Sequence, residues 1–188
     1  MTALRRDFVE ALSNQDVTRF KFVDETSVHL TYTRRYGRAA GGQRVDQAVP
    51  LHPGPNVTVV AALTAQGVDA VMALDGALNT AGFLAYLDHV LGPTLVPGDV
   101  VVLDNLRVHK APGVAEAVAA RGARLLFLPP YSPDFAPIEL AFSKLKTGLR
   151  TAQARTRDAL AEALRTALNW ITEVDAKNWF AHCGYHVH

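Results

Sequence analysis

Residues 129–139 read Pro-Pro-Tyr-Ser-Pro-Asp-Phe-Ala-Pro-Ile-Glu, and no other stretch says more about the fold. Four prolines in eleven residues predict a stiff, extended segment that enters a helix with Pro137 at its first position, where a missing N–H costs nothing. Glu139 then lies in the first helical turn, where the macrodipole favours an anion. Such an arm suits a metal site, because it holds one carboxylate in a fixed place. The alternative is a surface loop before a capped helix, and the spacing alone leaves both open.

Two further carboxylates stand where short apolar runs stop. Asp24 follows the run at 20–23, and Asp104 follows the run at 99–103. Short β-branched runs bounded by polar residues are typical of buried strands. An Asp at the carboxyl end of such a strand points into the crevice where open α/β sheets bind ligands. Either Asp alone is more typical of a strand end or a helix cap, but three carboxylates on recognisable elements together favour a shared site.

Apolar periodicity predicts the order of the elements. Strands are predicted at 19–24, 28–33, 56–63, 68–74, 100–104 and 124–128, and helices at 3–13, 80–90, 114–120, 137–150, 156–172 and 175–181. This order favours a mixed sheet with helices on both faces. In the helix that carries Glu139, one apolar stripe is formed by Ile138, Phe142, Leu145 and Leu149, and Glu139 lies at its edge.

Three segments carry a resemblance to a known family: Phe-Val-Asp-Glu-Thr at 22–26, Val-Leu-Asp-Asn-Leu-Arg-Val-His-Lys at 102–110, and the stretch at 129–139. They resemble the three catalytic blocks of DDE transposases, specifically the bacterial insertion-sequence members of the mariner-like superfamily. The 34 residues between the second Asp and the Glu are similar to the superfamily's spacing. Further matches at 33–38, 42–44 and 179–185 extend the resemblance to nearly the whole chain from about residue 20.

The resemblance implies an α/β, RNase H-like fold with a mixed five-stranded sheet and helices on both faces. It implies that residues 19–188 form the catalytic domain, and that its catalytic and metal-binding residues are Asp24, Asp104 and Glu139. Residues 1–18 are expected to be an N-terminal extension too short for the helix-turn-helix that reads transposon ends, so a separate segment or frame is expected to supply it. Such a chain could be the second frame of a split gene, a truncated remnant or a trimmed version of a longer protein, and the sequence leaves these three origins open.

The expected chemistry follows from the ligand type. Carboxylates are hard oxygen ligands that suit Mg²⁺, and two such ions can clamp an in-line displacement at phosphorus. Water as the nucleophile cleaves a DNA strand, whereas a terminal 3′-hydroxyl transfers one strand to another. Mn²⁺ is expected to substitute for Mg²⁺. The sequence contains no Walker-type Gly-Lys loop, so ATP is not implied. Because the three carboxylates repel one another, the change Asp104→Asn is expected to leave stability unchanged or to raise it.

Position 136 departs from the family pattern. Ala136 stands where the family usually has Asn, which is the better helix N-cap, although Ser132 or Asp134 could cap the helix instead. This departure and the missing helix-turn-helix favour an alternative function: a truncated, non-catalytic remnant that binds DNA or oligomerises and modulates a full-length transposase. The three intact carboxylates favour the active enzyme.

DNA, both transposon ends and target, is the expected partner, and the active complex is expected to be a homodimer. Four arginines within residues 33–44 suit phosphates, and an aromatic ring beside them can stack on a base. For residues 33–44 the alternative to DNA binding is a mobile basic loop, and for the basic residues of the helix at 137–150 it is an ordinary solvated face. For His109 the alternative is a structural role behind the site. The expected DNA-binding residues are Arg34, Arg35, Tyr36, Arg38, Arg44, His109, Lys110, Lys144, Lys146 and Arg150, with Arg155 and Arg157 as further candidates.

Composition agrees with one globular domain. The chain has 188 residues, of which 49% are apolar, and a net charge of +1, so any basic surface must be local. A single cysteine, Cys183, excludes an internal disulfide and suits a reducing compartment. The spacing of His182, Cys183, His186 and His188 matches no standard zinc pattern. No membrane span or signal-peptide core is evident, and a bacterial, nucleoid-associated cytoplasmic location is expected.

Overall fold

The computed structural model describes residues 3–12, 15–54 and 56–186. Five strands in these ranges form one sheet in the order β3-β2-β1-β4-β5. Pairing is antiparallel between β1 and β2 and between β2 and β3, and parallel between β1 and β4 and between β4 and β5. The strands are β1 Phe20–Val28, β2 Val57–Thr64, β3 Gly67–Asp75, β4 Val100–Leu103 and β5 Arg124–Phe127.

Helices cover both faces of this sheet. One face packs against α4, α5 and α6 through residues such as Phe142, Leu160 and Phe180, and the other packs against α2 and α3 through Phe83 and Val114. The α-helices of the described ranges are α1 Ala3–Leu12, α2 Thr80–Tyr86, α3 Val114–Ala119, α4 Pro137–Ala152, α5 Arg157–Leu168 and α6 Glu173–His182. None of them is both long and apolar enough to cross a membrane.

The central strands are apolar because both of their sides are covered. All eight residues of β2 are buried. In β1, Phe20 and Phe22 belong to the core under α4 and α6, whereas Val23 belongs to the core under α2 and α3. The ring of Phe22 meets that of Phe180 edge-on, with the centroids 5.2 Å apart. This packing fixes the position of β1, the strand that carries the first predicted carboxylate.

The strand predicted at 28–33 is wrong, because β1 runs on through residue 28 and the chain then turns. The amide of Leu30 donates to the carbonyl oxygen of Pro53 at 3.2 Å. Nη1 of Arg155 donates to the carbonyl oxygens of Leu30 at 3.0 Å and Tyr32 at 2.7 Å. Backbone groups in this segment therefore form hydrogen bonds with a loop and with an arginine side chain instead of with a neighbouring strand. The apolar alternation reflects Tyr32, which is buried in an irregular segment.

The remaining predicted elements agree with the structure to within a few residues. The helix predicted at 137–150 extends to residue 152, and that at 156–172 ends at 168. The helix predicted at 3–13 ends at 12, and residue 13 lies outside the described residues. The helix predicted at 80–90 is α-helical to residue 86 and continues as one wider π-type turn to residue 91.

Helix α1 packs on the turn that precedes α4. Nη1 of Arg5 donates to Ser132 Oγ and to Asp134 Oδ1, both at 2.9 Å, and its guanidinium lies 4.4 Å from the ring centre of Phe135. The ring of Phe8 stacks on Phe135 with a centroid separation of 5.4 Å. An ion pair, a cation–π contact and a ring stack therefore tie the first helix to the segment that leads to Glu139.

Candidate active site

The register of two parallel strands brings Asp24 and Asp104 to one level. Phe22 of β1 pairs with Val102 of β4, and each Asp lies two residues beyond its own member of this pair. Because side chains alternate along a strand, the Asp24 carboxylate projects on the same side as Phe22 and Val102, and Asp104 follows directly after the end of β4. The side of Phe22 and Val102 is covered by α4, since both of these residues belong to the core that includes Phe142.

The prediction that the first strand ends at Asp24 is wrong. Antiparallel pairing with β2 continues past Asp24 to Val28, whereas the parallel pairing with β4 stops at Phe22. Asp24 therefore lies inside β1 but at the point where its neighbour β4 leaves the sheet. Because β4 no longer pairs with β1 at this level, a crevice opens beside the Asp24 carboxylate.

Glu139 joins these residues from the start of α4. The predicted apolar stripe is buried throughout, and Glu139 is exposed at its edge in the first helical turn. All three carboxylates line one cavity of about 420 Å³. The rest of its wall is mostly apolar and comes from the strand ends and from the proline-rich segment at 128–138. We refer to this space as the carboxylate cavity.

Asp24 has the environment of an acid that resists ionisation. Burial raises the pKa of its carboxyl to about 7, although the Glu25 amide donates a hydrogen bond to it at 2.8 Å. The neighbouring carboxylates of Glu25, Glu139 and Asp104 raise the pKa further. Within the described residues no ion pair reaches Asp24 or Glu139. A cation in the cavity would relieve this excess of negative charge.

Asp104 is held ionised by a buried histidine. Partial burial opposes ionisation, but hydrogen bonds from the His109 ring at 2.6 Å and from the Leu106 amide at 2.9 Å, together with the positive charges of His109 and Lys110, keep the pKa of Asp104 below its usual value. This contact reverses the expectation for Asp104→Asn. Removing the charge would leave the buried imidazolium without its closest partner.

His109 lies between two carboxylates and is fully buried. Burial alone would lower the pKa of its ring, but the hydrogen bond to Asp104 and the contact with Glu25 raise that pKa to about 9. Nε2 of His109 and Oε2 of Glu25 are 3.3 Å apart but are not aligned as a hydrogen bond, so the contact is electrostatic. Glu25 carries a role that the sequence reasoning missed, although it stands directly beside Asp24.

The donor atoms suit a hard divalent cation, but they are not gathered into a ready ligand set. Among the described residues, no group of three or more His, Cys, Asp and Glu side chains could hold a metal ion as placed. This applies to the carboxylates and also to His182, Cys183 and His186, while His188 lies outside the described residues.

Comparison with known proteins identifies the family. Residues 19–161 match the family model described as DDE superfamily endonuclease. The chain belongs to this family. A comparison with curated proteins found no match.

The DDE endonuclease domain resembles several solved Mos1 structures. The Mos1 mariner paired end complex with Mn matches with a TM-score of 0.77 at 18% identity, over 95% of this chain and 58% of that one. A pre-cleavage Mos1 transpososome matches at 0.72 and 14% identity, over 96% and 57%. The Mos1 transposase catalytic domain with raltegravir and Mg matches at 0.72 and 14% identity, over 96% and 86%. This chain thus spans less than two thirds of the chains in the two complexes. The predicted RNase H-like fold is confirmed.

A basic groove lies directly beside the carboxylate cavity of this DDE endonuclease domain. It has a volume of about 470 Å³, and Glu139 lines both spaces. The predicted DNA-binding residues that line the groove are Arg34, Arg35, Tyr36, Lys146 and Arg150. Arg38 lines an adjoining cavity together with Arg34, Arg35 and Tyr36. These residues form one positive surface that leads to the carboxylates.

The other predicted DNA-binding residues lie elsewhere or have protein partners. Nζ of Lys144 is 2.6 Å from Oδ2 of Asp175, which joins α4 to α6. Arg44 pairs with Asp46 at 3.2 Å and lines neither space. Full burial leaves His109 no surface for DNA, whereas the exposed Lys110 lies 5.5 Å from the ring centre of Phe127.

The two further candidates also have structural partners. Arg155 binds the backbone carbonyl groups after β1, and Arg157 pairs with Asp75 at the edge of the sheet. Both guanidinium groups thus support the fold around α5. The sequence places them close to the basic groove, but neither lines it.

The start of α4 has no side-chain cap. Ala136 is the N-cap residue and makes no capping hydrogen bond. Neither alternative cap is used, because Ser132 Oγ donates to the carbonyl oxygen of Pro130 at 3.2 Å and Asp134 binds Arg5. The backbone oxygen of Ala136 accepts from the Glu139 amide at 3.1 Å. The helix turn that carries Glu139 therefore depends on backbone bonding and on its packing.

Restoring the cap is expected to tighten this turn. An Asn side chain at position 136 can accept a hydrogen bond from the first turn, so Ala136→Asn is expected to raise the free energy of unfolding by about 0.5–2 kcal/mol and to increase DNA nicking. The matched control is Ala136→Leu, which has the same branching without an acceptor, because position 136 is buried. Thermal melting and nicking rates of the three proteins test this. Equal results for Asn and Leu would show that the buried site cannot use a cap.

Proposed function

We propose that this chain is the catalytic domain of a transposase from the bacterial insertion-sequence branch of the mariner-like superfamily. It cleaves DNA strands by hydrolysis and joins them by transesterification. The observation that carries the proposal is the meeting of Asp24, Asp104 and Glu139 on one cavity that opens beside the basic groove. Membership of the DDE endonuclease family supports the same chemistry.

Asp24, Asp104 and Glu139 are the residues that would hold two Mg²⁺ ions, with Mn²⁺ as a substitute. The oxygen donors and the raised pKa of Asp24 fit such a cation. Bound ions would activate the attacking oxygen and stabilise the leaving oxygen of the phosphodiester. Two Mos1 paired end complexes, one with Mn and one with Mg, are consistent with this choice of metal.

The remaining residues orient and shield the site. His109 fixes the Asp104 carboxylate through its 2.6 Å hydrogen bond and keeps it ionised. The arginines of the basic groove bind backbone phosphates, and their planar guanidinium groups suit two-point contacts. Pro129, Pro130 and Pro133 line one side of the cavity and limit the access of bulk water to the reacting phosphate.

DNA and a second copy of the chain are the proposed partners. The matched Mos1 structures include a transpososome and paired end complexes, and this chain covers only 57% of the transpososome chain. In this proposal residues 19–188 carry catalysis, and a separate helix-turn-helix segment recognises the transposon ends. The proposed setting is the bacterial nucleoid.

A nicking assay tests the proposal. Supercoiled plasmid incubated with the protein should be converted to open circles in the presence of Mg²⁺ or Mn²⁺ and remain intact with EDTA. DNA binding without cleavage under both metals would instead support the non-catalytic remnant, for which the uncapped start of α4 is the structural argument. Absence of both binding and cleavage would exclude the active enzyme and a DNA-binding remnant, and the mass of the protein in solution would then test the oligomerising remnant.

The basic groove predicts how DNA binding depends on salt. Replacing Arg34, Arg35 and Arg38 with Ala removes three phosphate-binding charges, so the slope of log K against log salt should fall by up to about 3, at about 0.9 per phosphate contact. Because phosphates carry no sequence information, binding should weaken equally on unrelated duplexes. The control is Arg165→Ala, an exposed arginine that pairs with Glu162 away from the groove. An unchanged slope in the triple variant would place the DNA elsewhere.

A further inference from the structure

Tyr131 is the residue of the proline-rich segment that neither the family match nor the carboxylate chemistry explains. Its side chain is 100% exposed, and its backbone is left-handed with φ of 54°. A bulky aromatic residue rarely adopts this conformation, which glycine and asparagine tolerate. The exposed ring makes no hydrogen bond or ring contact with the residues that the structure describes. Tyr131 thus combines a strained backbone with an apolar surface left in water.

The other left-handed residues have structural reasons. Within the described residues, positive φ is found at two further non-glycine positions, Ala70 and Gln153. Ala70 lies where β3 shifts its register against β2, and Gln153 ends helix α4. Tyr131 lies in a turn directly after Pro130, where glycine or asparagine is the usual left-handed residue. Strained residues of this sort cluster at ligand sites, where their surroundings over-determine them.

The neighbours of Tyr131 impose its conformation. Pro129 is buried in the wall of the carboxylate cavity. On the other side, Ser132 is buried, donates to the carbonyl oxygen of Pro130 at 3.2 Å and accepts from Arg5 at 2.9 Å. Pro129 and Ser132 thus hold the chain on either side of the exposed pair formed by Pro130 and Tyr131.

Tyr131 lies in the wall of the carboxylate cavity and outside the basic groove. Tyr131 and the exposed Leu106 line the carboxylate cavity but not the groove, whereas Arg34 and Arg35 line the groove but not the cavity. Glu139 lines both. A strand whose backbone follows the groove and places one phosphate at the carboxylates brings the flanking nucleotide to the cavity that Tyr131 lines. The wall of that cavity is mostly apolar, whereas the groove carries the cationic side chains.

We propose that Tyr131 is a stacking platform for the nucleobase that flanks the reacting phosphate at the carboxylate cavity, outside the basic groove. The ligand is an unpaired base, since only an unstacked base offers its face to a side chain. An uncharged ring suits a base, and the arginines suit phosphates, so the cavity and the groove divide the recognition of one strand. A base stacked on this ring would hold the scissile bond in register. This inference rests on the proposed action on DNA.

The test uses replacements that keep the backbone. Tyr131→Asn tolerates a positive φ but removes the ring, Tyr131→Phe keeps the ring and removes the hydroxyl, and Tyr131→Gly relieves the strain. The most frequent cut on a fixed, end-labelled duplex defines the register, and abasic residues then replace each base that flanks this cut. Stacking predicts that Tyr131→Asn and one abasic position each lower kcat/KM by about 5- to 150-fold, and that their combination causes no further loss.

The controls separate the possible outcomes. The Phe variant should behave as the parent, and the melting temperature of the Gly variant should not fall. Equal losses in the Phe and Asn variants would assign the effect to the hydroxyl and overturn stacking, as would additive losses from Tyr131→Asn and every abasic position. If the parent protein cleaves DNA and the Asn variant is equally active, the stacking inference is refuted and the proposed function stands. If the parent binds but does not cleave, loss of single-stranded DNA affinity in the Asn variant, but not in the Phe variant, decides the matter.

Discussion

The change Asp104→Asn is expected to reduce metal-dependent DNA cleavage by more than the roughly 10- to 100-fold loss that is typical of removing a group that only supports a metal ligand. Asp104 is proposed to bind the metal itself, and an amide oxygen is a weaker ligand than a carboxylate. Nicking rates measured over a range of Mg²⁺ and Mn²⁺ concentrations test this. Cleavage equal to that of the parent would place the active site elsewhere.

The same change is also expected to lower stability. The Asp104 carboxylate accepts a hydrogen bond from the buried His109 ring at 2.6 Å, and a neutral Asn leaves that ring with a weaker partner. Breaking one side of a buried ion pair destabilises proteins by about 3–5 kcal/mol, and the loss should be smaller here because Asp104 is partly exposed. The matched control is Asp158→Asn, an exposed carboxylate in the first turn of α5. It should retain both cleavage and most of the stability.

Asp24→Asn is expected to remove cleavage as well, but to raise the stability of the metal-free protein. The pKa of the folded Asp24 carboxyl is about 7, against an ordinary value of 3.8. Between these pH values the folded state retains a proton that the unfolded chain has released, so the free energy of unfolding falls as pH rises. An Asn is neutral throughout. The variant should therefore exceed the parent by an amount that grows from pH 4 and levels off above pH 7, with an upper bound of about 4 kcal/mol.

Melting curves between pH 4 and pH 9 in EDTA measure this difference. His109 adds a decline in stability of its own, since its raised pKa contributes stability that is complete below pH 6.5 and lost as pH rises through about 9. That decline is common to both proteins and cancels in the comparison. Added Mg²⁺ should stabilise the parent above pH 7 much more than the variant. A pH-independent difference would contradict the raised pKa of Asp24.

Local patterns predicted the elements, and register decided how they meet. Apolar runs located β4 and the start of β1, and the prolines located the first turn of α4. The sequence does not show that Phe22 pairs with Val102, the contact that brings the two aspartates to one level. It also led to a false strand at 28–33, because backbone carbonyl groups there bind Arg155, more than a hundred residues away, instead of a neighbouring strand.

Two of the roles that sequence reasoning misjudged or missed depend on a distant partner or on backbone strain. Lys144 looks free for DNA along the helix, yet Asp175 neutralises it from α6. Nothing in the local sequence marks Tyr131 as left-handed, since tyrosine disfavours that conformation. The close neighbour Glu25 was within reach, because an acid directly beside a candidate metal ligand changes that ligand's pKa.

The docking of α1 on the turn before α4 has a practical consequence for shortened versions of the chain. The family match begins at residue 19, so a fragment cut there would look complete: it keeps the whole sheet and all three carboxylates. It would lose Arg5 and Phe8, which fasten Ser132, Asp134 and Phe135. Such a fragment should fold and yet hold Glu139 loosely. Its low activity could then be mistaken for a decayed active site, when the fault would lie in the boundary chosen for expression.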